Sequence, residues 1–194
     1  MAISYPLTLP SHTGVRSIDL RAINAVAYSA SPFTFAGQTH AYSGQMWVAD
    51  ITLPAMRIAD AETWLGFLLS LRGQYGTFLM GNPTCTAPRG TAVSVRVTGT
   101  TGSGSVSVTM GGSLLAGDYI QLGSGSDATL HKVLQDQSGP GTLEIWPALR
   151  KDRTDVLATI RNAKGLFRLL SNEQSWSVTE ASTYGITFSA REAI

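Results

Sequence analysis

One stretch constrains the fold of this chain more than any other: "LPAMRIADAETWLGFLLSLRGQYGTFLMGNP", residues 53–83. It carries a well-marked helix, and every segment around it reads as strand. Asp60 is placed to N-cap, Glu62 lies in the first turn where the macrodipole favours an acid, Arg72 lies in the last turn, and Gly73 is placed at C′. A helix over residues 60–72 is therefore predicted. Trp64, Phe67, Leu68 and Leu71 recur at i, i+3, i+4 and i+7 and form one apolar stripe, which Leu65 and Leu69 widen toward a second face. A stripe that wide suits ordinary core. It also allows a helix with its own sheet on one side and a neighbouring subunit on the other.

The flanking segments alternate with the period of strands. "SIDLRAINAVAYS" alternates and then shifts phase near Asn24, "PFTFAGQTHAYS" reads as a hairpin turning at Ala36-Gly37, and "GQMWVADITLP" closes the group. "YGTFLMGNP" is a strand ended by Pro83. From residue 86 the composition changes: "TAVSVRVTGTTGSGSVSVTM" is a hairpin with Val93, Val95 and Val97 on one side and Val106 and Val108 on the other. "DYIQLG", "ATLHKVLQ" and "GTLEIWPAL" add three short strands, enough for a small barrel or sandwich of OB-like size. "DVLATIRNAKGLFRLLS" and "SWSVTEASTYGITFSAREA" then return to longer strands. The expected fold is mainly β: a discontinuous β-sandwich with one helix, residues 1–85 and 156–194, interrupted by an inserted small β domain, residues 86–155. Twenty glycines in 194 residues, 43% of them hydrophobic and 14% charged, suit many strands joined by tight turns.

Charge excludes one class of partner. The net charge is +1, and the 14 cations, 11 of them arginines, are spread along the chain with no basic stripe, so no sequence-specific nucleic-acid binding is expected. The densest run, "LRKDRTD" at residues 149–155, mixes signs and is expected to face water as a loop. Cys85 is the only cysteine, so an intramolecular disulfide is ruled out, and no His or Lys beside it lowers its pKa. The opening "MAISYPLTLPSHTG" has no signal-peptide pattern and no window is apolar enough to span a bilayer, so manufacture in the cytoplasm and no membrane partner are expected.

Catalytic constellations are missing. There is no G-x-S-x-G, H-E-x-x-H, P-loop, G-x-G-x-x-G or EF-hand pattern, and His12, His40 and His131 have no metal spacing to one another or to Cys85. No enzyme activity, metal or cofactor is expected. His131 is expected to point a polar edge out of its strand, and the Gly117-Asp118 pair reads as turn chemistry. Trp47, Trp64, Trp146 and Trp176 suit cores better than a sugar-stacking groove.

Taken in order, the helix segment, "AGDYIQLG", "LHKVLQD", "IWPALR" and the closing "YGITFSAREA" resemble the distal tail proteins of long-tailed bacteriophages and prophages of Gram-negative hosts. The resemblance covers the chain from about residue 44 to 192. It implies a β-sandwich with one helix, a peripheral OB-like domain, and a homo-oligomeric ring, typically a hexamer. The ring would stand at the end of the tail, between the tube protein above and the hub protein below. It implies location in the virion and offers no catalytic residues. Phe33, Phe35 and His40, in the hairpin, and Leu65 and Leu69, on the helix, are then candidate subunit contacts. Two rivals stay open. A carbohydrate-binding tail-tip module would use Trp146 as a glycan contact. A single-strand binder would need a basic groove, whereas residues 86–149 hold only Arg89, Arg96 and Lys132 as cations.

Overall fold

The computed structural model describes residues 3–11, 14–180 and 182–194; His12 lies outside them. In chain order the elements are β1 (Leu7–Thr8), β2 (Ser17–Ala30), β3 (Gly37–Thr52), α1 (Ile58–Ser70), β4 (Phe78–Met80), β5 (Val95–Gly99), β6 (Ser105–Met110), β7 (Ser113–Leu114) and β8 (Tyr119–Leu122). A 3-10 turn (Gly125–Asp127) precedes β9 (Thr129–Val133), β10 (Gln137–Ser138), β11 (Gly141–Trp146), β12 (Arg153–Ala158), β13 (Gly165–Leu169), β14 (Trp176–Val178) and β15 (Tyr184–Glu192). Among the described residues the fold is mainly β with one α-helix, as expected.

The first sheet runs β1-β4-β13-β15-β3-β2, with β14 appended to β15. Its core face is covered by α1, through Trp64, Phe67 and Leu68, which meet Phe78, Phe167 and Phe188. The rings pack edge-to-face or tilted: Trp64 to Phe67 at 5.9 Å, Phe67 to Phe78 at 5.6 Å, and Phe78 to Phe188 at 6.4 Å between centroids. Such pairs add about 0.5–1.5 kcal/mol each beyond their buried area.

The helix begins and ends two residues earlier than predicted. Met56 and Tyr184 exchange backbone hydrogen bonds of 3.2 and 2.9 Å, so the chain is held as a strand until just before Arg57 and turns helical at once. Arg57 is the N-cap, without a side-chain cap bond, and Asp60 sits in the first turn instead of capping. Leu71 is the C-cap, so Arg72 falls outside the last turn; it takes a left-handed φ of 51° and Gly73 follows at 66°.

The second sheet runs β12-β5-β6-β11-β9-β8, and Gln121 and Thr159 pair beyond its two ends, so it nearly closes into a six-stranded barrel. Alternation fills it: Val95, Val97, Val106, Val108, Ile120, Leu122, Val133, Leu143 and Ile145 point inward. Because β12 pairs with β5 through Ala158, the inserted unit extends past the expected boundary at 155. "DVLATIRNAKGLFRLLS" is thus two strands in two sheets. The two cores meet on the outer face of β8 and β9, where Tyr119 and Leu130 pack against the first core. His131, with the parity of Val133, faces the barrel interior and is fully buried, against the expectation of an outward edge. Its Nδ1–H donates to the Pro147 carbonyl at 2.7 Å and Nε2 lies 2.9 Å from the Thr129 hydroxyl.

Candidate functional site

The three strand-like runs before the helix are two long strands. β2 and β3 pair from Ser17↔Thr52 to Ala30↔Gly37, and the turn is residues 31–36, not Ala36-Gly37. The expected phase shift near Asn24 is a real irregularity: Asn24 pairs with Gln45 but Val26 pairs with Ala41, so one residue of β2 faces three of β3. β15 supports β3 only over Val48 to Thr52. Beyond that the two strands run on as a free ribbon. From the Asn24 rung to the Ala30 rung it extends about 20 Å at the usual rise of a strand.

Every residue of this arm from Ala22 to Ala30 and from Gly37 to Gly44 is exposed. It contains no Asp, Glu, Lys or Arg: the first charges met are Arg21 and Asp50 at its root, and these pair with each other at 2.6 Å. Its exposed apolar side chains include Ile23, Val26, Tyr28 and Tyr42. At the tip, Ser31 Oγ accepts from the Phe33 and Thr34 N–H groups, closing a tight turn that throws Phe33 and Phe35 outward, 92% and 82% exposed. His40 stands exposed on β3, edge-on to Tyr42 at 4.6 Å. Phe33, Phe35 and His40 therefore share one arm. Leu69 is 59% exposed on the helix, whereas Leu65 is only 5% exposed, inside the core under the helix. Leu65 is thus corrected from a candidate contact to a core residue.

A two-stranded ribbon alone is marginally stable in water, and exposed apolar groups on both sides with free edges invite pairing with another chain. Among the described residues β2 has no partner on its outer edge, and β3 has none besides β2 from Gly37 to Trp47.

The root of the arm is held from the side by the loop after β11. Trp146 Nε1–H donates to Asn24 Oδ1 at 2.7 Å, and its ring stands edge-on to buried Trp47 at 4.5 Å between centroids. The Ala148 N–H donates to Gln45 Oε1 at 2.8 Å, and Arg150 donates to the Gln45 carbonyl. Arg150 also forks onto Glu192, at 3.3 and 2.8 Å, and Glu192 accepts the Trp47 N–H at 3.2 Å. Arg153 is likewise buried on Asp127, which also takes Lys151 at 2.7 Å. Those hydrogen bonds, Arg153's first and Lys151's second, hold the Asp127 carboxyl below its usual pKa. In the run "LRKDRTD" Lys151, Asp152, Thr154 and Asp155 face water as expected, whereas Arg150 and Arg153 turn inward and make it a structural junction as well.

A cleft of about 340 Å³ opens beside this junction, lined by Leu20, Asn24, Tyr119, Lys132, Leu134 and Trp146. It is a poor sugar platform. Trp47 and Tyr119 are buried, and the indole N–H of Trp146 is already committed. Among the described residues no three His, Cys, Asp or Glu side chains gather closely enough to hold a metal. The arm itself left a signal in the sequence that strand periodicity passes over, namely the lack of any Asp, Glu, Lys or Arg across residues 22–49. No known protein family matches the chain, and no curated protein matches it.

Proposed function

We propose that this chain is a structural subunit of a phage tail, assembling with copies of itself into a ring, hexameric by resemblance, at the distal end of the tail tube. Tube protein would lie above, the tail-tip hub below, and DNA would pass through the lumen. The observation that carries the reading is the uncharged arm: two free edges and apolar side chains on a ribbon too thin to be stable alone. Edge-to-edge contact between the β2 of one copy and the β3 of the next joins unlike surfaces. Such heterologous contacts close into a ring when the rotation fits. Burying this arm desolvates no carboxylate, lysine or arginine, and a lumen built from it offers DNA no lysine or arginine to bind. The geometry at Trp146 does not favour the carbohydrate-binding alternative.

The test is light scattering with negative-stain imaging of the same peak, on the parent protein and on V26K/Y28K. Both positions are exposed, so the substitutions leave the fold intact. Open-centred rings from the parent and monomers from the variant are expected. Rings of unchanged stability from the variant, or a parent that stays monomeric even with tube protein added, would sink the reading.

A further inference from the structure

We propose that the inserted barrel is a brace that fixes the direction of the arm, acting through the Asn24–Gln45 rung. This rung is the last regular pair before the irregularity at which one residue of β2 faces three of β3. Such a bulge gives the ribbon beyond it a built-in bend and added twist. β15 leaves β3 at Val48, so with no grip on this rung the ribbon would swing from Val48 outward.

Both members of the rung are gripped by one short run of the barrel, the end of β11 and the loop after it. The Trp146 indole N–H holds the Asn24 side chain on β2; the Ala148 N–H and the Arg150 guanidinium hold the side chain and carbonyl of Gln45 on β3. A second set of contacts anchors that loop to the sheet behind the arm. Arg150 is forked on Glu192 at the end of β15, Glu192 takes the N–H of Trp47, and the Trp47 indole donates to the Leu130 carbonyl on β9 at 2.9 Å. The loop thus touches both strands of the arm at its root and a third strand beside them. Three points define a direction where one would leave a hinge. Nothing in these contacts depends on other residues of the arm, so the support ends where the exposed ribbon begins.

The consequence rests on the ring reading: edges of neighbouring arms meet only if every arm leaves its subunit at the same angle, and the barrel would set that angle. The barrel's task is then positioning, with no ligand of its own required.

The experiment measures arm direction inside one chain. Spin labels go on Thr39→Cys in the arm and Ser107→Cys on the barrel, both exposed, in a Cys85→Ser background. Pulsed dipolar distances are read with excess unlabelled protein, so that only distances within a chain contribute. A narrow distribution is expected for the parent and its loss for N24A/Q45A, with the melting transition retained. N24D and Q45E, tested singly, keep the acceptor oxygens and should keep the distribution narrow. W146F, which removes the indole donor and keeps an aromatic ring, is the second route should the double variant fail to fold. It should broaden the distribution on its own. Distributions that stay narrow in both N24A/Q45A and W146F, or a parent that is already broad, would overturn the brace. Ring formation is scored separately by light scattering: a narrow parent that never forms rings leaves the brace standing and removes the ring, and a broad parent that forms them does the reverse.

Discussion

Arg150→Ala offers the sharpest test of how the two units are joined. The Arg150 and Glu192 side chains are 16% and 5% exposed and 2.8 Å apart, and Glu192 would keep only the Trp47 N–H after the substitution. Breaking a buried pair by removing one partner strands the other charge, which costs about 3–5 kcal/mol. The Arg21–Asp50 pair is a built-in control, shorter at 2.6 Å but 57% and 44% exposed. At that exposure Arg21→Ala is worth about 1 kcal/mol or less. Urea unfolding followed by tryptophan fluorescence reads both. With a slope of about 2–3 kcal/mol per M, R150A should lower the midpoint by about 1–2.5 M and R21A by less than about 0.5 M. R150M/E192Q should recover more than half of the R150A loss, because the stranded charge and not the missing bridge carries most of the penalty. Equal shifts for R150A and R21A would refute the reasoning, since burial and not distance is what separates the pairs.

The remaining predictions concern groups buried in or beside the barrel. Burial alone would raise the Asp118 pKa, but the N–H groups of Leu115, Arg89 and Gly90 donate to its carboxylate and hold it below 3.8. Asp118→Ala should lose about 3 kcal/mol by orphaning those donors. Because the folded pKa is depressed, the part of that contribution carried by the ionised form is present above the unfolded value of 3.8 and fades as pH falls through the folded one, so the gap between parent and variant in urea midpoint should narrow. For His131 burial lowers the pKa from 6.5 to about 4, the Pro147 hydrogen bond opposes this, and the charges of Arg150 and Arg153 add to it. The unfolded chain therefore takes up the proton first, and stability should fall by about 3 kcal/mol as pH drops from 6.5 to 4. H131Q should abolish that component, and a parent whose midpoint is flat over this window would contradict it.

The candidate site was partly legible. Phe33, Phe35 and His40 were within reach of sequence reasoning because turn residues and alternation mark a hairpin wherever it sits. That the hairpin leaves the body was not, since an exposed strand and a half-buried one share the same alternation when the apolar groups are Val, Tyr and Ala. Leu65 and Leu69 show the opposite limit. Both widen the helical stripe by the same rule, yet Leu65 is 5% exposed and Leu69 is 59% exposed, because only the position of the sheet against α1 decides where core ends.

What the chain determined locally was the kind and order of its elements: one helix, a bulge near Asn24, and a valine-rich hairpin that needs partners on one face. These follow from periods of two and 3.6 and from turn chemistry, which act over a few residues. The tertiary structure alone decided the helix register, where pairing of Met56 with Tyr184 overrode the expected Asp60 cap. It also decided the fate of the charged run that leads into β12. Arg150 and Arg153 resemble solvated side chains until Glu192 and Asp127 arrive from 42 and 26 residues away. A charge can be buried only where its partner is, and that partner's position is a property of the fold and not of the neighbouring sequence.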